Sequence, residues 1–336
     1  MTALPVAVDA MGGDRGPGEI VAGARRAAEE HGVPVVLYGQ RDVIGEAGGL
    51  EVVETTEVVG MGEDPAGAVR RKRDSSVVRA AEAVRDGRAC AMVSAGNTGA
   101  AVASALLRMG RIAGVQRPGI ATVLPVPGSI PTILLDSGAN AECAAPWLAQ
   151  FGQMGALYAA SRFGVSEPRV GLVSIGEEET KGTTLVKEAH QLLARPGWLE
   201  AAGGRFIGNV EGRDALTDSV DVMVTDGFTG NVILKTLEGG VKVMVNAIVA
   251  AMSSTEEARR ASEVLLPALV PLYEEMDPDT YGGATLLGVD GVCIISHGQS
   301  TSRAIVNAVR LAADMVDAGL VGRLREVVGR APVPAD

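Results

Sequence analysis

Aromatic side chains make up only 3% of this 336-residue sequence, and histidine and cysteine occur three times each. Cys90, Cys143 and Cys293 lie far apart with no Cys-x-x-Cys pair. That spacing argues against a disulfide framework and a cysteine zinc site, and points to a reducing cytoplasm. Basic residues are outnumbered, 30 Lys and Arg against 41 Asp and Glu, for a formal net charge of -11. The balance argues against sequence-independent binding of nucleic acid, which relies on clustered cations, and leaves room for local basic patches. No segment reaches the roughly 18 uncharged apolar residues that a spanning helix needs. Residues 1–14 carry no basic flank followed by an apolar stretch of signal-peptide length. A chain made and kept in soluble form is the expectation.

Two nucleotide fingerprints are missing as well. In Gly176-Glu-Glu-Glu-Thr-Lys181-Gly182-Thr183 the lysine precedes the glycine and three acids crowd the turn, unlike a Walker loop. Gly12-Gly13-Asp14-Arg15-Gly16 does not fit the dinucleotide pattern after a first strand. An ATPase or a nicotinamide enzyme is therefore disfavoured.

What the chain has is glycine, 44 residues of it, with apolar content carried by Val, Ala, Leu and Ile. Short Val- and Ile-rich runs alternate with longer stretches of helical spacing, the rhythm of βαβ units. Strands are predicted over 6–10, 34–38, 89–94, 119–124, 132–136, 169–174, 205–208, 221–225 and 292–296. Helices are predicted over 17–31, 75–86, 99–109, 146–162, 184–195, 231–252 and 301–318. No low-complexity linker divides the chain. One α/β unit over 1–330 is expected, in one lobe or two, with a helical segment near 240–280 and a flexible tail at 331–336.

Six predicted strands run into small polar or glycine turns, at 9–14, 94–99, 136–140, 175–182, 226–231 and 297–300. In a parallel sheet such turns share the carboxyl edge, where open α/β folds bind ligands, so they are expected to converge on one site. Free N–H groups at helix starts attract anions, and glycine lets backbone approach a ligand. Each turn alone is explained by tight βα geometry; six together suggest a phosphate pocket. Lys181 is placed to meet a phosphate or a developing oxyanion as a point charge. The plainer alternative is a solvated lysine answering Glu177 to Glu179. Asn97, Asn140 and Asn231 are ordinary N-caps singly, and an array of neutral donors if they act together. His31 and His190 read as surface residues, while His297 reads as a donor or acid-base group or as a structural hydrogen-bonding residue. No serine lies in a nucleophile elbow and the cysteines fit packing, so direct transfer without a covalent intermediate is the simpler chemistry.

The ordered set DAMGGD (9–14), SAGNTGA (94–100), DSGAN (136–140), IGEEETKG (175–182), FIGNVEGRD (206–214), TDGFTGNVILKTLEG (225–239), YGGATLLGVDG and SHGQS resembles the PlsX family of acyl-ACP:phosphate acyltransferases. The likeness spans almost the whole chain. It implies a Rossmann-like α/β/α fold similar to the isocitrate and isopropylmalate dehydrogenases and to phosphotransacetylases. It further implies a homodimer, acyl carrier protein as donor and inorganic phosphate as acceptor. Peripheral contact with the inner face of the cell membrane is implied too, where a downstream glycerol-3-phosphate acyltransferase consumes the product. By motif, Lys181 and Asn231 look like the catalytic pair, with Asp9, Gly13, Asp14, Asn97, Asp136, Asn140, Asp226 and His297 lining the pocket. No cofactor or metal is expected, because a thioester is already activated. Two positions depart from the family pattern: Ser174 stands where Asn is expected, leaving a donor role there in doubt. Thr285 stands where Pro is common, a change expected to alter only loop stiffness. In the stretch 256–276, Pro267 and Pro271 predict helical pieces joined by a bend. Its apolar run 264–273 suits either a dimer interface or a membrane-touching tip.

Overall fold

A computed structural model describes residues 4–328; the tail expected at 331–336 lies outside the described residues. The strands are β1 (Val6–Asp9), β2 (Val35–Gly39), β3 (Glu51–Glu54), β4 (Ala91–Ser94), β5 (Gly119–Leu124), β6 (Thr132–Leu135), β7 (Arg169–Val173), β8 (Arg205–Val210), β9 (Val222–Val224), β10 (Ala284–Leu287) and β11 (Val292–Ile295). Among the described residues they form one eleven-stranded sheet in the order β3-β2-β1-β4-β11-β10-β5-β6-β9-β7-β8. The α-helices are α1 (Gly18–His31), α2 (Arg41–Ile44), α3 (Pro65–Arg71), α4 (Ser76–Arg85), α5 (Thr98–Ser104), α6 (Ala145–Phe163), α7 (Thr184–Leu193), α8 (Gly227–Met252), α9 (Glu256–Met276), α10 (Ser302–Asp317) and α11 (Leu320–Val327). A mixed α/β fold with helices on both faces of the sheet results.

The strand period of two divides the core. Val6, Val8, Val35, Leu37, Val292 and Ile294 face a layer that includes residues of α1, α6 and α10. Ala7, Val36, Tyr38, Met92 and Cys293 face the layer of α3, α4 and α5. Burial on both sides accounts for the continuous Val and Ile runs. Two strands escape the sequence reading. β3 is an edge strand whose terminal Glu51 and Glu54 are exposed, and β10 follows directly on a Gly-Gly pair.

The expected convergence of all six turns on one edge does not occur. β1, β4 and β11 run parallel, but β10 is antiparallel to both β11 and β5, and β5 is antiparallel to β6. β6, β9, β7 and β8 then continue parallel among themselves. Three reversals leave the two halves of the sheet pointing in opposite directions. The turns at 9–14, 94–99 and 297–300 therefore lie at one edge, and those at 136–140, 175–182 and 226–231 at the other. Hydrophobic patterning identifies strands but carries no information on their direction.

The α8–α9 hairpin corrects a second expectation. α9 runs unbroken through Pro267 and Pro271. Each proline removes one backbone hydrogen bond, and on a helix with only Ser262 buried water can satisfy the freed carbonyls. Along the pair, Val243 and Met244 of α8 and Val264 of α9 are 70%, 62% and 78% exposed. No helix among the described residues is long and apolar enough to cross a membrane. Thr285, expected in a loop, lies in β10 and is buried, its hydroxyl 2.8 Å from that of Tyr158.

Candidate active site

At the first edge the polar groups are occupied with one another. The Asp9 carboxylate is buried and accepts from Ser94 Oγ at 2.7 Å and from the Met11 amide at 3.3 Å. Burial pushes its carboxyl above the usual range, against the pull of hydrogen bonds from Ser76, Ser94, Met11 and Gly12. A narrow cleft beside it is lined by Gly12, Ser76, Ser94, Gly96 and Asn97. Asn97 is the N-cap of α5: its Oδ1 accepts from the Ala100 amide at 3.1 Å while its Nδ2 donates to the Met61 carbonyl at 2.9 Å. Gly13 has φ +93°, and the exposed Asp14 donates its amide to the Gly298 carbonyl at 2.7 Å. His297 is exposed, and its Nδ1 accepts from the Gln299 amide at 3.2 Å.

The second edge is different. Asp136 is fully buried and takes five hydrogen bonds. Its Oδ1 accepts from the amides of Ile120, Gly138 and Ala139 at 3.0, 3.0 and 2.9 Å. Its Oδ2 accepts from the Asn140 amide and Nδ2 at 2.8 and 2.9 Å. The same Nδ2 donates to the Pro118 carbonyl at 2.7 Å. Asp136 and Asn140 thus fix a loop and have little left for a ligand. Asp226 caps α8, accepting from the Thr229 amide and hydroxyl at 2.9 and 2.8 Å. The loop and α8 are pressed together. A β-carbon on Gly230 would lie 1.9 Å from the Asp136 carbonyl oxygen, so only glycine allows this approach.

From that braced helix start Asn231 projects, exposed and with no hydrogen-bond partner among the described residues. Of the three asparagines considered as donors, two are consumed by caps and loop ties, and Asn231 alone keeps its amide open. Lys181 is likewise exposed and pairs with no carboxylate among the described residues. Of the neighbouring acids, Glu177 meets Arg213 at 3.2 Å and Glu179 lies 3.8 Å from His190 Nε2, while Glu178 stays beside the lysine stem: a β-carbon on Gly176 would lie 2.9 Å from Glu178 Oε2 and 3.1 Å from Lys181 Cγ. Lys181 and Asn231 follow β7 and β9, which pair with each other. They therefore share one sheet edge with the start of α7, whose leading N–H groups and dipole favour an anion there, whereas at the start of α8 the Gly227 amide is taken by the Asn140 carbonyl at 2.8 Å and the Thr229 amide by the Asp226 carboxylate.

Two residues that hold this turn were missed by the sequence reading. His190, expected at the surface, is buried, with Nδ1 3.0 Å from Asn209 Oδ1. Asn209 Nδ2 in turn donates to the Glu178 carbonyl at 2.9 Å, inside the turn that carries Lys181. The signal lies in the FIGNVEGRD stretch, whose asparagine is Asn209. A register slip between β7 and β8 with Gly208 at φ +91° re-aims that asparagine. Ser174 Oγ, at the foot of the turn, is buried without a partner among the described residues, and a β-carbon on Gly182 (φ +96°) would lie 2.9 Å from it.

Comparison with known proteins extends this picture. Residues 4–323 match the family described as "Fatty acid synthesis protein". The phosphate acyltransferase of Pelotomaculum thermopropionicum is 46% identical over 332 residues, covering 97% of this chain and 95% of that protein. The phosphate acyltransferase of Nostoc punctiforme is 43% identical over 332 residues, 96% of each. Among solved structures, a phosphotransacetylase from Streptococcus pyogenes shares the fold, with TM-score 0.63, 16% identity and 94% and 95% of the two chains covered. With identity maintained over nearly the full length of both proteins, the chain belongs to the fatty acid synthesis protein family of phosphate acyltransferases and is an acyltransferase.

Proposed function

We propose that this protein moves a long-chain fatty acyl group from the thioester of acyl carrier protein to inorganic phosphate, yielding an acyl phosphate for phospholipid synthesis. The observation that carries the reading is the pairing, at one sheet edge, of an ammonium (Lys181) and a side-chain amide (Asn231) that, among the described residues, have no counter-ion and no hydrogen-bond partner respectively. Hydrogen phosphate is held by Lys181 and the N-terminus of α7. Its oxygen attacks the thioester carbonyl carbon, forming a C–O bond while the carbonyl π electrons move to oxygen. Asn231 donates to that oxyanion, and preorganised donors of this kind are worth about 3 to 4 kcal/mol in other acyl-transfer sites. Collapse breaks the C–S bond; the thiolate leaves and takes up the proton that the phosphate carried. A neutral donor and a fixed cation suffice for each step.

The exposed α8–α9 hairpin supports a homodimer or peripheral membrane contact as part of this reading. The test is to incubate the protein with palmitoyl carrier protein and phosphate, trap the product as a hydroxamate with hydroxylamine, and titrate the released thiol. Hydroxamate and thiol in equal amounts are expected, dependent on phosphate. Turnover of acetyl-CoA with none of the long-chain carrier thioester would instead make the protein a short-chain phosphotransacylase. Phosphate binding with neither product would make it a binding protein.

A further inference from the structure

Around Lys181 and Asn231 stand apolar side chains that the fold does not bury. Ile175 is 80% exposed, Phe228 67% and Val232 48%. Single exposed aliphatics are ordinary on any protein surface, but these three adjoin the two candidate catalytic residues. Phe228, Asn231 and Val232 occupy positions i, i+3 and i+4 in the first turns of α8, hence one helix face. Ile175 opens the turn that carries Lys181, whose stem runs back against Gly176: a β-carbon there would lie 3.1 Å from Lys181 Cγ. The two segments follow β7 and β9, paired through Leu172 and Val224, so they leave strands about 4.8 Å apart. Only four phenylalanines exist in the sequence, and Phe151 is fully buried; placing Phe228 in solvent beside a polar pair needs a reason.

Resting on the acyl-transfer reading above, we propose that Ile175, Phe228 and Val232 form the surface on which the fatty chain lies, and that they set the chain length the site accepts. The occupant must bring a polar reacting centre to Lys181 and Asn231 and an apolar body to their flank. A fatty acyl thioester has that construction, whereas phosphate and an acetyl group have nothing to lay against a phenyl ring. The rival occupant is a second copy of this chain. Val243, Met244 and Val264, farther along the hairpin, offer that copy a larger apolar face, while Phe228 sits at the root of α8 beside Asn231.

The test compares C16- and C4-acyl carrier protein as donors, with hydroxamate as readout, for wild type, Phe228→Ala, Phe228→Leu and Ile175→Ser. Phe228→Ala is expected to lower the C16:C4 ratio of kcat/KM about tenfold, with Phe228→Leu between it and wild type. Ile175→Ser is expected to act in the same direction, and at its exposed position it opens no core cavity should Phe228→Ala fail to fold. Each variant is also run on a size-exclusion column, where elution as wild type is expected. An unchanged ratio, or equal losses with both donors, overturns the proposal. So does a smaller species with the ratio kept, which assigns the residues to contact between copies. Wild type that forms no hydroxamate from either donor sinks the acyl-transfer reading itself, an outcome separate from a flat chain-length profile.

Discussion

The Asn231 side chain faces the open side of Gly138: its Oδ1 lies 3.8 Å from where a β-carbon on Gly138 would stand, and Gly138 holds φ at +144°. The loop tied down by Asp136 thus forms one wall of the site. Asn231→Ala is expected to lower kcat about 100- to 1000-fold with little change in the KM for phosphate, because a donor aimed at the oxyanion acts in the transition state. A rise in KM at unchanged kcat would give Asn231 a phosphate-holding role.

Lys181→Ala is expected to reduce turnover by orders of magnitude in a protein that unfolds at the same urea concentration as wild type, since removing an exposed ammonium opens no cavity. Wild-type turnover would end its catalytic assignment.

Asn209→Ala is expected to behave differently, because the Asn209 side chain touches the Glu178 carbonyl and His190 rather than substrate. Loss of the tie leaves the buried His190 imidazole short of a partner, at about 1 to 3 kcal/mol, and leaves the Glu178 carbonyl with only the Lys181 amide at 2.9 Å. Stability and kcat are expected to fall together, measured by urea unfolding and by hydroxamate formation. Lowered kcat at full stability would place Asn209 in contact with substrate.

For the hairpin, Leu269→Glu is the informative change, read by size-exclusion chromatography and by flotation with anionic vesicles. The charge is expected to disrupt one association. A monomer assigns the apolar run to contact between copies, and an intact dimer that no longer floats assigns it to the membrane. Wild-type behaviour in both assays would remove both assignments.

Burial pushes the thiols of Cys143 and Cys293 up to about 12 from an ordinary 9.0. Both groups bind protons more tightly in the folded than in the unfolded protein between those values. Their contribution is therefore complete below pH 9 and lost as pH rises from 9 towards 12. The urea midpoint is expected to fall over that window, and less steeply in Cys143→Ala. Alkylation by iodoacetamide at pH 8 is expected to be slower in native than in unfolded protein. A midpoint flat to pH 11 would contradict the assignment.

The sequence by itself determined nine of the eleven described strands, seven of the eleven described α-helices and the family. Val and Ile runs buried on both faces, glycine turns and helical spacing are local signals, and β5 (Gly119–Leu124) falls where its run of residues places it. The motifs around Lys181 and Asn231 were legible for the same reason, since each lies within one turn. Tertiary structure alone decided which turns meet. The antiparallel pairings of β10 and of β5 with β6 send Asp9, Asn97 and His297 to one edge and Lys181, Asn231 and Asp136 to the other. Strand direction depends on pairing between distant segments and leaves no mark on a strand's own residues. Partner choice was equally hidden: three asparagines look alike beside glycine. Only the fold shows Asn97 and Asn140 bonded to backbone and Asn231 with its amide open, because a hydrogen bond is settled by what folding brings within about 3 Å.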